Sequence, residues 1–174
     1  MIRATTLALM AALPVAAPAM ALDLFMAESS LRSLNDSDPS RAYGAALAAC
    51  LVGQGDAART AALFTDAGWT LTEETEMGLN QIASSHAALY VLAAIDGNFC
   101  AVYAEDTGTD IAAAQMMLLV SSTGLGTSVA PGASDCTSVQ LTPAIGIEVT
   151  SSGNDPVCED AATSSVRFTF GPGQ

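Results

Sequence analysis

The chain has 174 residues and a formal net charge of −13, because 18 acidic residues stand against five basic ones, all of them arginine. The length fits one domain of ordinary size, and single scattered arginines argue against nucleic acid or anionic lipid as a partner, since both require clustered positive charge. Hydrophobic residues make up 51% of the chain and charged residues 13%, which excludes a disordered acidic tail.

The first 21 residues predict a signal peptide. Arg3 gives a positive start, residues 5–17 form an apolar run, and residues 19–21 form an A-x-A cleavage site. Two prolines interrupt the run before it reaches the roughly 20 residues of a spanning helix. We expect cleavage after Ala21 and export to a bacterial periplasm or medium, with an uncleaved amino-terminal anchor as the alternative.

The remaining residues, 22–174, are predicted to form a single domain stabilised by disulfides. Their longest apolar stretches, residues 87–95 and 111–120, are too short to cross a bilayer, so no membrane span is expected.

Two helices joined by a glycine turn are predicted first, after a short helical stretch at residues 24–34. Ser40 is the expected N-cap of the first helix and Asp56 that of the second. Apolar residues recur at helical spacing in both, and this spacing places Cys50 on the buried face of the first. Gly68 is expected to end the second helix.

The apolar pattern then changes to a period of two. Strands are predicted at residues 69–72, 84–95 and 99–103, with a turn at 78–80 and a hairpin turn at 96–98. The second and third of these strands are apolar on both faces. We therefore expect them to pair antiparallel near the centre of a sheet.

A third helix is predicted at residues 110–122. Thr109 is its expected N-cap and Gly124 the residue that stops it. Helical spacing assigns its inward face to Ile111, Ala114, Met117, Leu118 and Ser121.

Three more strands are predicted at residues 137–141, 145–149 and 166–170, the last two separated by a long polar loop at 151–165. The element order is therefore roughly α-α-β-β-β-α-β-β-β. Because helices separate from runs of strands, the predicted class is α+β, with a mostly antiparallel sheet and helices packed on one face.

The cysteine count is four, an even number, which predicts two disulfides in an oxidising compartment. Three pairings are open. We favour Cys50–Cys100, which would tie a helix to a central strand, together with Cys136–Cys158, which would bracket a carboxy-terminal hairpin. No two cysteines have the close spacing of a C-x-x-C redox motif or a zinc site, so structural bridges are favoured over metal or redox chemistry.

No motif predicts catalysis, a cofactor or a metal. The only histidine, His86, lies in a predicted strand where Ser84 shares its face; catalysis would also require an orienting acid, and no G-x-S-x-G elbow motif is present. Glu74 and Glu76 would share a strand face and are the candidates for carboxylate chemistry or cation binding, although a solvated strand end explains them. The G-x-G at residues 124–126 follows a helix, whereas a phosphate site requires it to open one.

Three hypotheses for function follow. The favoured one is a non-catalytic binding or protein-interaction module with an envelope protein as partner, using the sheet edge or the 151–165 loop. The second is a binder of a small molecule or divalent cation, in a pocket between helices and sheet lined by Tyr90, Tyr103 and Arg41 or Arg167. The third is a hydrolase that uses Glu74 and Glu76.

Overall fold

The computed structural model describes residues 22–125, 128–153 and 155–171. In these ranges the helices are α1 (Phe25–Ser30), a 3-10 helix (Leu31–Ser33), α2 (Pro39–Gly53), α3 (Ala57–Asp66) and α4 (Thr109–Ser121). The strands are β1 (Thr70–Glu74), β2 (Leu79–Ala83), β3 (Leu89–Ala94), β4 (Phe99–Ala104), β5 (Ala130–Pro131), β6 (Ser138–Thr142), β7 (Ile145–Thr150) and β8 (Ser164–Phe170). The predicted α+β class is confirmed. The predicted signal peptide lies outside the described residues.

All eight strands form one antiparallel sheet in the order β1-β2-β3-β4-β8-β7-β6-β5. Two meanders meet where β4 pairs with β8, because α4 carries the chain away between them. The predicted central position of β3 and β4 is confirmed, with Ala93 opposite Cys100 across this pair. Among the described helices, none has the length and apolarity that crossing a bilayer requires.

Helix α2 lies at the centre of the helix layer. Eleven of its 15 residues are buried, because alanines on several sides let neighbouring elements approach closely. Its N-cap is Asp38, which accepts a hydrogen bond from the backbone N–H of Ser40 at 3.0 Å. The prediction of Ser40 as N-cap is therefore wrong, since Pro39 already occupies the first helical position.

Helix α3 follows its prediction closely. The Asp56 side chain accepts from the Arg59 N–H at 2.9 Å, and Gly68 has the left-handed φ of +86° expected just beyond a helix end. The Trp69 indole then donates to the Leu34 carbonyl at 3.2 Å, which fixes the α1–α2 connection against the start of β1.

The strand predicted at residues 84–95 is shorter and later than its pattern indicates. Residues 79–83 form β2 instead of the predicted turn, and β3 begins only at Leu89. Between them the Ser84 hydroxyl accepts from the N–H groups of His86 and Ala87, each at 3.2 Å. The apolar–polar alternation in the sequence continues through residues 84–88, but this serine turn keeps those residues out of the strand.

Helix α4 differs most from its prediction. Its N-cap is Gly108 and not Thr109. Its buried face comprises Thr109, Ala112, Met116, Leu119 and Val120, whereas the predicted inward residues Ile111, Met117 and Leu118 are exposed. Nine of the ten residues from 111 to 120 are apolar, so the spacing alone cannot select which side faces the sheet.

Both predicted disulfides are confirmed. Cys50–Cys100 joins α2 to β4 inside the core, with 5.6 Å between the Cα atoms, and both cysteines are buried. Cys136–Cys158 lies at the surface, with 4.9 Å between the Cα atoms, and joins the segment before β6 to the loop between β7 and β8.

Candidate interaction surface

Exposed apolar side chains concentrate on the outer side of the helix layer. Eight large apolar side chains are exposed among the described residues, and α1 and α4 carry five of them: Phe25, Met26, Ile111, Met117 and Leu118. Phe25 is 72% exposed and Leu118 65%. Grouped apolar exposure of this kind is typical of an interaction site, whereas isolated exposed apolar residues are ordinary.

The same helices enclose a groove of about 310 Å³, here called the α1–α4 groove. The α1 side and the 3-10 helix form one wall, α4 forms the other, and the first turns of α2 form the floor. The lining residues are Met26, Ser30, Ser33, Ser40, Arg41, Gly44, Gln115, Leu118, Leu119 and Ser122. Met26 and Leu118 belong both to the exposed set and to this lining, so the apolar surface continues into the groove.

The floor of the groove stays open because residue 44 is glycine. A Cβ atom built on Gly44 would lie 3.1 Å from the side-chain oxygen of Gln115. That amide crosses from α4 to α2, where its NH₂ group donates to the Ser40 hydroxyl at 2.9 Å.

Two serines of the groove donate their hydroxyl protons to backbone carbonyls of their own helix. Ser30 donates to the Met26 carbonyl at 3.0 Å and Ser122 to the Leu119 carbonyl at 2.6 Å. Because these donors already serve the helix backbone, they do not call for a polar ligand. Next to Ser30 and Ser122 the groove wall therefore favours an apolar occupant.

One ion pair lies at the groove rim. The Arg41 guanidinium is 3.4 Å from the Asp36 carboxylate and 3.7 Å from that of Asp38. The N–H of Asp38 and then the charge of Arg41 hold the pKa of Asp36 below its ordinary value. The rim is therefore a paired, hydrated structure at neutral pH, and it leaves the Arg41 charge partly neutralised.

The residues of the hypothesised small-molecule pocket do not come together. Tyr90 and Tyr103 stack with ring centroids 4.6 Å apart, on the sheet face opposite the helices, while Arg41 lies in the helix layer. Arg167 shares the tyrosine face, where its guanidinium carbon lies 5.9 Å from the centre of the Phe99 ring. This cluster lies on an open sheet face and not in a pocket between helices and sheet.

The Tyr90 phenol has a pKa above that of an ordinary tyrosine. Partial burial, followed by the nearby Glu105 and Tyr103, raises the pKa of Tyr90. A neutral phenol at physiological pH fits a packing role in the Tyr90–Tyr103 stack.

The candidate catalytic residues do not lie together on one strand. Glu74 ends β1, while Glu76 lies in the following turn, so the expectation that they share a strand face is wrong. His86 is exposed in the β2–β3 connection. Across the described ranges, no three His, Cys, Asp or Glu side chains group closely enough to hold a metal ion. Gly126 of the G-x-G lies outside those ranges.

The sheet edges are poorly suited to a partner strand. Edge strand β1 carries Glu73 and Glu74, and the opposite edge, β5, has two residues, one of them Pro131. Charges, proline and short length all prevent the addition of a further strand. The helix-layer surface therefore has the stronger claim as a contact site.

Sequence reasoning missed this surface, although one signal was available. A helix with nine apolar residues out of ten cannot bury its whole circumference when only one side meets a sheet. The excess on α4 therefore had to lie under another element or remain exposed, and Ile111, Met117 and Leu118 remain exposed.

No family model matches the chain, and neither the curated proteins nor the solved structures include one with significant similarity to it. The groove and its surroundings are then the basis for a functional proposal.

Proposed function

We propose that the chain is a non-catalytic protein-interaction module that binds an apolar segment of a partner protein in the α1–α4 groove. The observation that carries this proposal is the concentration of exposed large apolar side chains around a groove whose floor is kept open by Gly44. Two helical walls over a helical floor suit a partner helix, whose side chains at i, i+3 or i+4 and i+7 enter such grooves.

Charge selects the class of partner. With a net charge of −13, the molecule attracts basic segments and repels a second copy of itself and anionic membranes. The proposed partner segment is therefore an amphipathic helix with basic residues beside its apolar stripe. The predicted signal peptide and the two disulfides support an envelope protein of the periplasm, or a secreted protein, as its source.

The other hypotheses have less support among the described residues. The carboxylates proposed for hydrolysis do not share a strand face, and the tyrosines proposed for a ligand pocket lie on an open face. The groove, by contrast, combines concavity with apolar walls.

A designed peptide tests the proposal directly. The probe is a fluorescent 15-residue helix with leucines at i, i+3, i+4 and i+7 and lysines at the flanks; the control has the same composition in scrambled order. Binding to the oxidised mature chain is measured by anisotropy. Leu118→Asp should weaken binding about tenfold or more, because it puts a charge where the bound peptide would cover a leucine side chain.

Met77 provides a matched control, because it is also 65% exposed but lies in the β1–β2 turn, away from the groove. Met77→Asp should leave the affinity unchanged. Equal binding of helical and scrambled peptides, or equal losses for both variants, would overturn the proposal. So would a dimer that Leu118→Asp dissociates, or adsorption to phosphatidylcholine vesicles that the same variant abolishes, because the surface would then serve self-association or lipid.

A further inference from the structure

The two disulfides differ in their access to solvent. Cys50 and Cys100 are buried between α2 and β4. Cys158 is exposed on the loop between β7 and β8. Cys136, its partner, is half-buried on the segment before β6. An attacking thiolate must reach a sulfur atom along the S–S axis, so only the second bridge is open to thiol–disulfide exchange in the folded protein.

The loop that carries Cys158 is fastened to the start of α4. The Thr109 N–H donates to the Asp160 carbonyl at 2.9 Å. The Thr109 hydroxyl donates to the same carbonyl at 3.2 Å and accepts from the Asp160 N–H at 3.1 Å. A Cβ atom on Gly108 would lie only 2.6 Å from the Ala161 carbonyl oxygen, so the loop packs directly on the helix N-cap.

Short turns on both sides of Cys158 hold the loop in this position. On one side, the Ser151 N–H donates to the Val157 carbonyl at 2.8 Å, and the Val157 N–H donates to the Ser151 hydroxyl at 2.9 Å. On the other side, the Asp160 carboxylate accepts from the N–H groups of Ala162 and Thr163, each at 2.7 Å. Cys158 lies between these turns, and its bridge anchors both to the sheet.

We infer that the Cys136–Cys158 bridge is a reducible clasp, which thiol–disulfide exchange with an external dithiol opens to release the first turn of α4. One thiolate of the dithiol attacks a bridge sulfur to form a mixed disulfide and releases the other cysteine as a thiolate, which takes up a proton. The second thiolate of the dithiol then displaces the remaining cysteine. The dithiol ends as a disulfide, and Cys136 and Cys158 together gain two electrons and two protons.

The release follows from the placement of the Thr109 amide. Its hydrogen bond to the Asp160 carbonyl is made outside the helix, since the first N–H groups of a helix have no partner within it. When the bridge opens, the loop gains conformational freedom and the Thr109 amide loses its acceptor for a larger fraction of the time. The inference does not depend on the proposed function of the groove.

Graded reduction with dithiothreitol tests the inference on the oxidised mature chain. Thiols are trapped with N-ethylmaleimide and assigned by peptide mass, and amide exchange is followed by NMR. We expect a species labelled only at Cys136 and Cys158, in which exchange of the Thr109 amide is about tenfold faster or more. The Ser122 amide, which donates to the Leu118 and Leu119 carbonyls at the other helix end, is the internal control and should not change.

Two results would overturn the inference: labelling of Cys50 and Cys100 before or together with the other pair, or unchanged exchange at Thr109 in the half-reduced species. The double variant Cys136→Ser/Cys158→Ser should reproduce the faster Thr109 exchange without reductant. If that variant does not fold, the half-reduced wild-type chain still decides the question.

Discussion

The two outer surfaces of the molecule differ in how far their apolar side chains are exposed to solvent. On the open sheet face, Tyr90, Leu92, Phe99 and Tyr103 are half-buried, because cross-strand neighbours cover one another. On the helix layer, Phe25 and Leu118 stand free. No strand residue in the described ranges belongs to the exposed large apolar set. Among the described elements, exposed large apolar side chains therefore occur on α1 and α4 and on no strand, while the other three, Met77, Ile95 and Val157, lie in connections.

The largest expected effect compares adjacent residues of α4. Leu119 is 9% exposed and packs against the core, whereas Leu118 is 65% exposed. Leu119→Asp buries an unpaired charge and should lower the free energy of unfolding by about 4 kcal/mol or more. Leu118→Asp should change it by less than about 0.5 kcal/mol. Urea denaturation measures both, and equal losses would show that Leu118 is a core residue.

An intermediate effect is expected on the sheet face. Tyr103→Ala removes the stacking partner of Tyr90 and should lower the unfolding free energy by about 1–3 kcal/mol, from lost stacking and lost apolar cover. Because this face is distant from the groove in the fold, affinity for the helical peptide should not change. A parallel loss of affinity would mean that the two surfaces are not independent.

A smaller effect separates groove shape from stability. Gly44→Ala should raise the unfolding free energy by up to about 1 kcal/mol, since alanine favours the helix and the neighbouring Gln115 amide is the end of a flexible side chain. The added methyl group enters the groove floor, so peptide affinity should fall while stability rises. Thermal unfolding measures the stability and anisotropy the peptide affinity of the same sample. An increase in both would contradict the assignment of Gly44 to the groove floor.

The smallest effect concerns pH. The pKa of Asp36 is lowered, mainly by the Asp38 N–H and secondly by Arg41. A lowered pKa in the folded state means that its stabilisation is present above the ordinary value of 3.8 and is lost as pH falls through the folded pKa. An NMR titration should show Asp36 titrating below 3.8, and Arg41→Gln should move it only partly back. Complete return would make Arg41 the main cause.

The features predicted correctly from the sequence have strong local causes. The cap at Asp56, the glycine at 68 and the hairpin turn at Asp96–Asn98 are each determined by neighbours along the chain. The disulfide pairing was also predictable, because helical spacing and sheet position brought Cys50 and Cys100 together. These constraints act within one element or between two adjacent ones.

The errors lie where tertiary packing chooses between equivalent local options. Leu118 and Leu119 are chemically identical neighbours, and only the placement of α2, β7 and β8 decides which one is buried. The turn predicted at residues 78–80 is wrong because β2 begins at Leu79 and the sheet gives it a partner strand on each side. The α1–α4 groove could not be predicted, since it depends on how three separate helices pack.

Site-specific photo-crosslinking in the cells that produce the protein tests the central claim most directly. A photoreactive amino acid is placed at position 118 in one strain and at position 77 in another, because the native residues are equally exposed at 65%. Our account predicts one discrete crosslinked protein from position 118, absent from position 77 and lost when Met26 is also changed to Asp. The same products from both positions, or only a dimer of this chain from position 118, would contradict it.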